Sequence, residues 1–175
     1  MKRTMVLLSM AALLLAGTVS AAVKQGDMEV DALAGYTTVS AEGGGSVDAL
    51  FLTGRVGYFV TNNIQVAGVG MGAWIDAGGT DVSLYAIGAS GKFCFMPDKQ
   101  WVPYVGAQIL WGTADIGADD SPDGMIYGAL GGVRFEVTPT TDLFIEGQYN
   151  LFGGDLGEGL DNMILVMVGF VHQWK

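Results

Sequence analysis

The most constraining feature of this sequence is an alternation of apolar and polar residues that recurs through runs of about ten or more residues. In the run 142–152, Leu143, Ile145 and Tyr149 fall on one face, whereas Glu146 and Gln148 fall on the other. A period of two residues is typical of a β-strand whose two faces meet different surroundings. The pattern predicts eight strands, at 27–38, 48–60, 64–75, 82–95, 101–113, 125–137, 142–152 and 162–174.

The segments between these strands are of two kinds, and the two kinds alternate along the chain. Short turns alternating with longer loops are typical of an up-and-down barrel in an outer membrane, with the turns periplasmic and the loops extracellular. The tight turns are 61–63, 96–100 and 138–141. The longer segments, rich in glycine and acidic residues, are 40–47, 76–81, 114–124 and 153–161.

The composition also favours a barrel. Half of the residues are hydrophobic, yet no apolar run after residue 22 approaches the roughly 20 residues of a transmembrane helix. A soluble domain this apolar would aggregate, whereas strands that alternate lipid-facing and lumen-facing residues need no continuous apolar run. We therefore predict an all-β fold, an eight-stranded antiparallel up-and-down transmembrane β-barrel that forms one domain over 23–175.

The first 22 residues have the order of a secretory signal peptide. Lys2 and Arg3 precede an apolar stretch at 5–17, and small residues follow at 18–22. Cleavage after Ala21 or Ala22 would change the formal net charge from −10 to −12, which argues against nucleic acid or anionic lipid as partners. We predict that 1–22 are a cleaved signal peptide and that the protein is exported.

Aromatic residues on the predicted outward faces form two bands. Amphipathic rings settle at both membrane–water interfaces, so two girdles are expected of a spanning barrel. The band beside the long loops contains Tyr36, Trp74, Tyr85, Trp111, Tyr127 and Tyr149. The band toward the tight turns contains Tyr58, Phe93, Trp101, Phe135, Phe170 and Trp174.

The charged residues within the strands are predicted to face the lumen in its periplasmic half. An eight-stranded barrel is just wide enough for side chains to fill it, so ions there must pair. The candidate cluster is Glu29, Asp31, Arg55, Lys92, Arg134, Glu136 and Glu146. We expect a structural ion-pair plug that closes the lumen; a gated polar path or a proton-linked site is the alternative.

The lumen near the long loops is predicted to be apolar. The inward residues there are Phe51, Met71, Leu84, Leu110, Ile126, Leu130, Met163 and Leu165. Large and small residues can simply pack together in such a barrel. They could instead line a pocket for a small apolar molecule.

Two further chemistries receive little support from the residues. Asp115, Asp119, Asp120 and Asp123 could hold a hard cation, but their spacing matches no defined loop and an acidic rim explains them. His172 is the single histidine, and no serine or aspartate is placed beside it as nucleophilic catalysis would need. We predict no enzymatic activity, no cofactor and no metal.

The last strand, with Gly169, Phe170, Val171, His172, Gln173 and Trp174, looks like the C-terminal signal read by the barrel-assembly machinery. The mature chain resembles the eight-stranded outer-membrane barrels of the OmpA, OmpX and opacity-protein type, and more distantly the OmpW-like barrels. This resemblance implies a bacterial outer-membrane location and partners in membrane lipid, lipopolysaccharide and, during biogenesis, the assembly machinery. A monomer is expected.

Three functions follow from these features. The leading one is a non-enzymatic envelope-integrity or surface-interaction protein with a closed lumen. The second is a porin-like narrow channel or a pocket for small hydrophobic molecules, as the OmpW-like resemblance implies. The third is a soluble lipocalin-like carrier in the periplasm.

Overall fold

Eight antiparallel strands, each hydrogen-bonded to the next, close into a barrel because β8 also pairs with β1. The computed structural model describes residues 23–40, 46–76, 81–115, 117, 121–158 and 162–174. The predicted signal peptide lies outside these residues. The strands are β1 Met28–Ser40, β2 Ser46–Phe59, β3 Ile64–Asp76, β4 Asp81–Cys94, β5 Trp101–Asp115, β6 Asp123–Thr138, β7 Thr141–Gly154 and β8 Asn162–Trp174.

The strand number, direction and order confirm the predicted up-and-down barrel. Each observed strand end lies within two residues of the predicted one. A 3₁₀ turn at Asp155–Glu158 was not predicted. Among the described residues, no helix is long and apolar enough to cross a membrane. We call the end with the three tight turns the turn end, and the opposite end the loop end.

Burial alternates along each strand. In β3, for example, Gln65, Ala67 and Val69 are buried inside the barrel, whereas Val66 and Gly68 are exposed outside it. The outer face is strongly apolar, since Ile164, Val166 and Ile87 expose 74%, 68% and 69% of their surface. So large an exposed apolar belt is unfavourable in water and suits a hydrocarbon surrounding.

Phe135 faces outward as predicted, but a neighbouring ring covers it. By register it belongs to the outward row that includes Trp101 and Leu143, but only 8% of its surface is exposed. The ring of Trp101 covers it, with the two centroids 4.7 Å apart. The β6–β7 register shifts only beyond Phe135, between Glu136 and Thr138. The other predicted girdle aromatics are exposed.

Close backbone approach requires glycine at a few inward positions. A Cβ placed on Gly88 would lie 2.1 Å from the carbonyl oxygen of Ile109, on the neighbouring strand β5. At Gly70, on the outward face of β3, a Cβ would meet nothing within 4 Å. An added methyl group should therefore lower the free energy of unfolding at Gly88 but not at Gly70.

We expect Gly88→Ala to lower the free energy of unfolding by about 1–3 kcal/mol, because the methyl group must displace backbone. Gly70→Ala is the matched control and should leave stability unchanged or raise it by up to about 1 kcal/mol. Denaturant midpoints of the two variants refolded into vesicles would measure the difference. Equal midpoints would contradict the close β4–β5 approach.

Candidate functional site: the barrel lumen

Polar and charged side chains fill the turn-end half of the lumen. They reach it because each occupies an inward position of its strand, and all seven charged residues predicted to lie there are buried. They form two networks with side chains that the sequence prediction did not include. The seven are Glu29, Asp31, Arg55, Lys92, Arg134, Glu136 and Glu146.

The first network, here called the turn-end network, centres on Arg134 of β6. Its Nη1 lies 3.0 Å from Glu29 Oε2 of β1, across the lumen. Its Nε donates to Asp142 Oδ2 of the adjacent strand β7 at 2.8 Å. The Gln65 amide donates to Glu29, and the Gln173 amide donates to Asp142 at 3.2 Å. One guanidinium thus joins carboxylates from two strands.

The second network, here called the mid-lumen network, contains Asp31, Arg55, Lys92, Glu146 and Tyr104. The Arg55 guanidinium of β2 donates to both carboxylate oxygens of Glu146 on β7, at 2.9 and 2.5 Å. The Lys92 ammonium lies 3.0 Å from Asp31 Oδ2, and Arg55 Nη1 lies 3.7 Å from the same oxygen. Tyr104 Oη donates to Glu146 at 2.8 Å. Bidentate arginine–carboxylate pairs are among the stronger hydrogen-bonded contacts in proteins.

These ion pairs cross the lumen as well as linking neighbouring strands. Arg55 and Glu146 lie on β2 and β7, which are three strands apart around the barrel, and Lys92 and Asp31 lie on β4 and β1. The mid-lumen network has two cations and two carboxylates, so its formal charges balance. Since each ion has lost its water, a missing partner would leave an uncompensated buried charge.

Amide side chains continue the polar filling toward the middle of the barrel. Gln148 Nε2 donates to Glu146 at 2.7 Å, which joins this layer to the mid-lumen network. Gln108 Nε2 donates to Gln148 at 3.2 Å and to Asn150 at 3.0 Å. Neutral amides thus separate the charged networks from the apolar half of the lumen.

Two buried carboxylates, Glu136 and Asp142, lie on the neighbouring strands β6 and β7. Glu136 is buried at the register position directly opposite Asp142, at the edge of the turn-end network. Asp142 was missing from the predicted cluster although it shares one face of the predicted strand 142–152 with Glu146. Its parity with Glu146, four residues along the same strand, is the signal that could have identified it.

The loop-end half of the lumen is apolar. Seven of the eight residues predicted there are buried in one hydrophobic cluster, and Met163 packs against it partly buried. The seven are Phe51, Met71, Leu84, Leu110, Ile126, Leu130 and Leu165. These side chains come from six of the eight strands, β2 to β6 and β8.

The residues before β1 lie over the opening at the turn end. Val23, which is 3% exposed, donates its backbone N–H to the Pro97 carbonyl at 3.0 Å. Pro97 belongs to the β4–β5 turn, on the opposite side of the barrel from β1. Gly26 donates to the Phe59 carbonyl at 2.9 Å. The segment 23–27 therefore crosses the mouth of the barrel.

Little space is left between these groups. A cavity beside Lys92, Cys94, Tyr104 and Arg134 measures about 10 Å³. This is close to the smallest volume that holds one water molecule. Cys94 itself is buried, with 1% of its surface exposed.

The weaker candidates give no second site among the described residues. Asp119 and Asp120 lie outside them, and Asp115 accepts a hydrogen bond from the Gly117 N–H at 3.0 Å. No group of three or more metal-ligating side chains occurs in the described part of the chain. His172 packs on the Trp174 ring, with centroids 4.9 Å apart, on the outward side of β8.

The sequence matches the family model of the outer membrane protein beta-barrel domain over residues 9–171. Neisserial surface protein A is 26% identical, with a TM-score of 0.69 over 86% of this chain and all of that one. The N-terminal barrel domain of OprF and the outer membrane protein OprG, both from Pseudomonas aeruginosa, are 14% and 13% identical. Their TM-scores are 0.59 and 0.57, each over 86% of this chain and 98% and 97% of theirs, so they show the fold alone. No protein among those with curated descriptions matches the sequence significantly.

We expect Arg134→Ala to lower the free energy of unfolding by about 3–5 kcal/mol, because Glu29 and Asp142 lose the cation between them. Lys99→Ala is the matched control, since Lys99 pairs with Asp98 on the exposed surface at 3.5 Å and such pairs contribute less than about 1 kcal/mol. Urea midpoints in vesicles would measure both. An Arg134→Ala midpoint equal to that of the control would contradict the plug.

Proposed function

This chain belongs to the outer membrane protein beta-barrel domain family and is a protein of the bacterial outer membrane, and from this premise we propose that it is a non-enzymatic envelope protein with a closed lumen. Its role would be envelope integrity or interaction at the cell surface. Neisserial surface protein A is the relative whose name agrees with a surface role. The outer-membrane location also rules out the alternative of a soluble periplasmic carrier.

The proposal of a closed lumen rests on one observation: charged side chains inside the barrel contact each other and are almost inaccessible to water. Glu146 is fully buried, and Arg55 and Asp31 each expose 2% of their surface. A water-filled pore would leave such groups hydrated along its axis. Here their partners are protein atoms on opposite walls.

The segment over the turn end supports the same proposal. Short turns face the periplasm in barrels of this kind, so residues 23–27 would lie at the periplasmic mouth. Their hydrogen bonds to Pro97 and Phe59 would hold them across it. Ions would then meet a backbone cover, two charged networks and an apolar layer in succession.

Absence of enzymatic activity is also part of the proposal. His172, the single histidine of the chain, lies on the outward side against Trp174. The buried carboxylates face the lumen and have arginine, lysine or amide partners there. A nucleophile, a base and an accessible substrate cavity would have to meet for hydrolysis, and these groups are arranged for pairing instead.

We further propose partners from the surroundings of the barrel. Membrane lipid and lipopolysaccharide would cover the apolar belt, and the assembly machinery would recognise the last strand, residues 169–174, during biogenesis. The protein would act as a monomer, since its strands close on themselves without a second copy.

One observation favours the second candidate function, a passage or pocket for small hydrophobic molecules. Within the described residues, the β1–β8 ladder ends at the pair Ala34 and Val168, although both strands continue toward the loop end. Leu165 lies on the part of β8 that pairs with β7 but not with β1, and it belongs to the apolar cluster of the lumen. A side entrance there would connect the cluster with lipid, and retention of an apolar dye without ion conduction would favour this candidate.

Conductance in planar bilayers tests the closed lumen. We expect the wild-type barrel to give no current above background. The double variant Arg55→Ala, Glu146→Ala, which removes the central cross-lumen pair, should also give no steady current, because the backbone cover, the turn-end network and the apolar layer remain. Lys99→Ala, on the exposed β4–β5 turn, should stay silent like the wild type. Steady single-channel currents from the wild-type protein would overturn the proposal.

A further inference from the structure

An apolar groove of about 720 Å³ runs across the outer face of the barrel, in its turn-end half. It lies between two rows of outward side chains that follow the hydrogen-bonding direction of the sheet. The lower row contains Trp101, Phe135, Leu143, Phe170 and Ala32, and the upper row contains Val133, Ile145, Val168, Ala34 and Leu52.

We propose that this groove binds one acyl chain of a phospholipid from the periplasmic leaflet, with the lipid phosphate near Lys99. The proposal rests on the outer-membrane location and concerns the outer face only. It is independent of whether the lumen conducts.

The length and slope of the groove fit a single acyl chain. The rows cross six strands, β5 to β8, β1 and β2, which corresponds to about 24 Å at roughly 4.8 Å between neighbours. Since strands in such barrels tilt by about 45°, the groove would rise by about 17 Å along the membrane normal. One leaflet of a hydrocarbon core about 30 Å thick has a depth of about 15 Å.

The direction of the slope selects the leaflet. At one end, Trp101 is the first residue of β5, immediately after the β4–β5 turn. At the other end, Leu52 lies seven residues before the end of β2, near the middle of the barrel. The groove therefore runs from the periplasmic interface to the centre of the bilayer. That leaflet contains phospholipid, whereas lipopolysaccharide occupies the opposite one.

The groove is bordered by packed aromatic rings at its Trp101 end and by small side chains on β1. Phe135 is held under the Trp101 ring, with its centroid 4.7 Å away, so this wall has little freedom to collapse. Ala32 and Ala34 place only methyl groups at the β1 end, which keeps the floor open. A flexible acyl chain can fill such a recess, whereas a second barrel would have to match its diagonal shape over six strands.

Lys99 is the cation proposed to meet the lipid phosphate. Lys99 precedes Trp101 by two residues and is 64% exposed, and its surface pair with Asp98 at 3.5 Å leaves it available to an anion. It is the one cation of the three tight turns, all of which lie in the described part of the chain. The β4–β5 turn thus places one positive charge close in sequence to Trp101, at one end of the groove.

Native mass spectrometry tests the proposal. The full-length barrel would be refolded into vesicles of phosphatidylethanolamine and phosphatidylglycerol, transferred to mild detergent, and weighed. We expect one retained phospholipid per barrel. Ala34→Phe should abolish retention by filling the groove, and Lys99→Gln should reduce it about two- to fivefold, as expected for one exposed charge contact.

Ala89→Phe is the matched control, because Ala89 is also an exposed outward alanine but lies on β4, away from the groove. It should retain phospholipid like the wild type, and a heat-modifiability gel would establish that each variant is folded. No retained lipid on the wild type, or equal retention by Ala34→Phe, would overturn the proposal. So would equal retention of lipid A from vesicles of that lipid, or the mass of a protein dimer that Ala34→Phe converts to the monomer.

Discussion

Closure of the backbone hydrogen bonds is the constraint on which the rest of this structure depends. In hydrocarbon an unpaired backbone N–H or C=O group costs several kcal/mol, so a sheet that spans a membrane must close on itself. Eight strands are enough to close, and β8 pairs with β1 over Met28 to Ala34. The same closure forces each strand to present alternate residues to lipid and to the lumen, which is the pattern that dominates the sequence.

The narrowness of an eight-stranded barrel then dictates the chemistry of the lumen. Charges placed inside cannot keep their water, and they are tolerable only with partners at hydrogen-bonding distance. Arg55, Lys92 and Arg134 each meet a carboxylate from a strand on the far wall. Tyrosine and amide side chains donate further hydrogen bonds to Glu29, Asp142 and Glu146. Outside, the same strands present an apolar belt with aromatic rings at both ends, and the groove from Trp101 to Leu52 is an irregularity in that belt. The alternation along the paired strands therefore determines both which side chains fill the lumen and which side chains face lipid.

Much of this could be predicted from the sequence, because a period of two residues fixes which face a side chain occupies. The two-residue period placed Arg55 and Glu146 in the lumen and Trp111 outside it. It could not pair Arg55 with Glu146, since they are 91 residues apart and the pairing depends on how far the strands stagger around the barrel. It placed Phe135 on the outer face but could not show that the Trp101 ring of the neighbouring strand covers it. The turn at Asp155–Glu158 was missed in a glycine-rich segment where no period is visible.

The single cysteine of the chain offers the most direct test of the closed lumen. Cys94 faces inward beside Arg134 and Lys92. In folded barrels in vesicles, a small water-soluble methanethiosulfonate reagent should leave Cys94 unmodified, and it should modify the thiol fully after unfolding. Ser121→Cys in a Cys94→Ala background, at an exposed site of the β5–β6 loop, should react at once and serves as the control. Labelling of folded Cys94 as fast as that control would mean that water fills the lumen, and it would contradict the account.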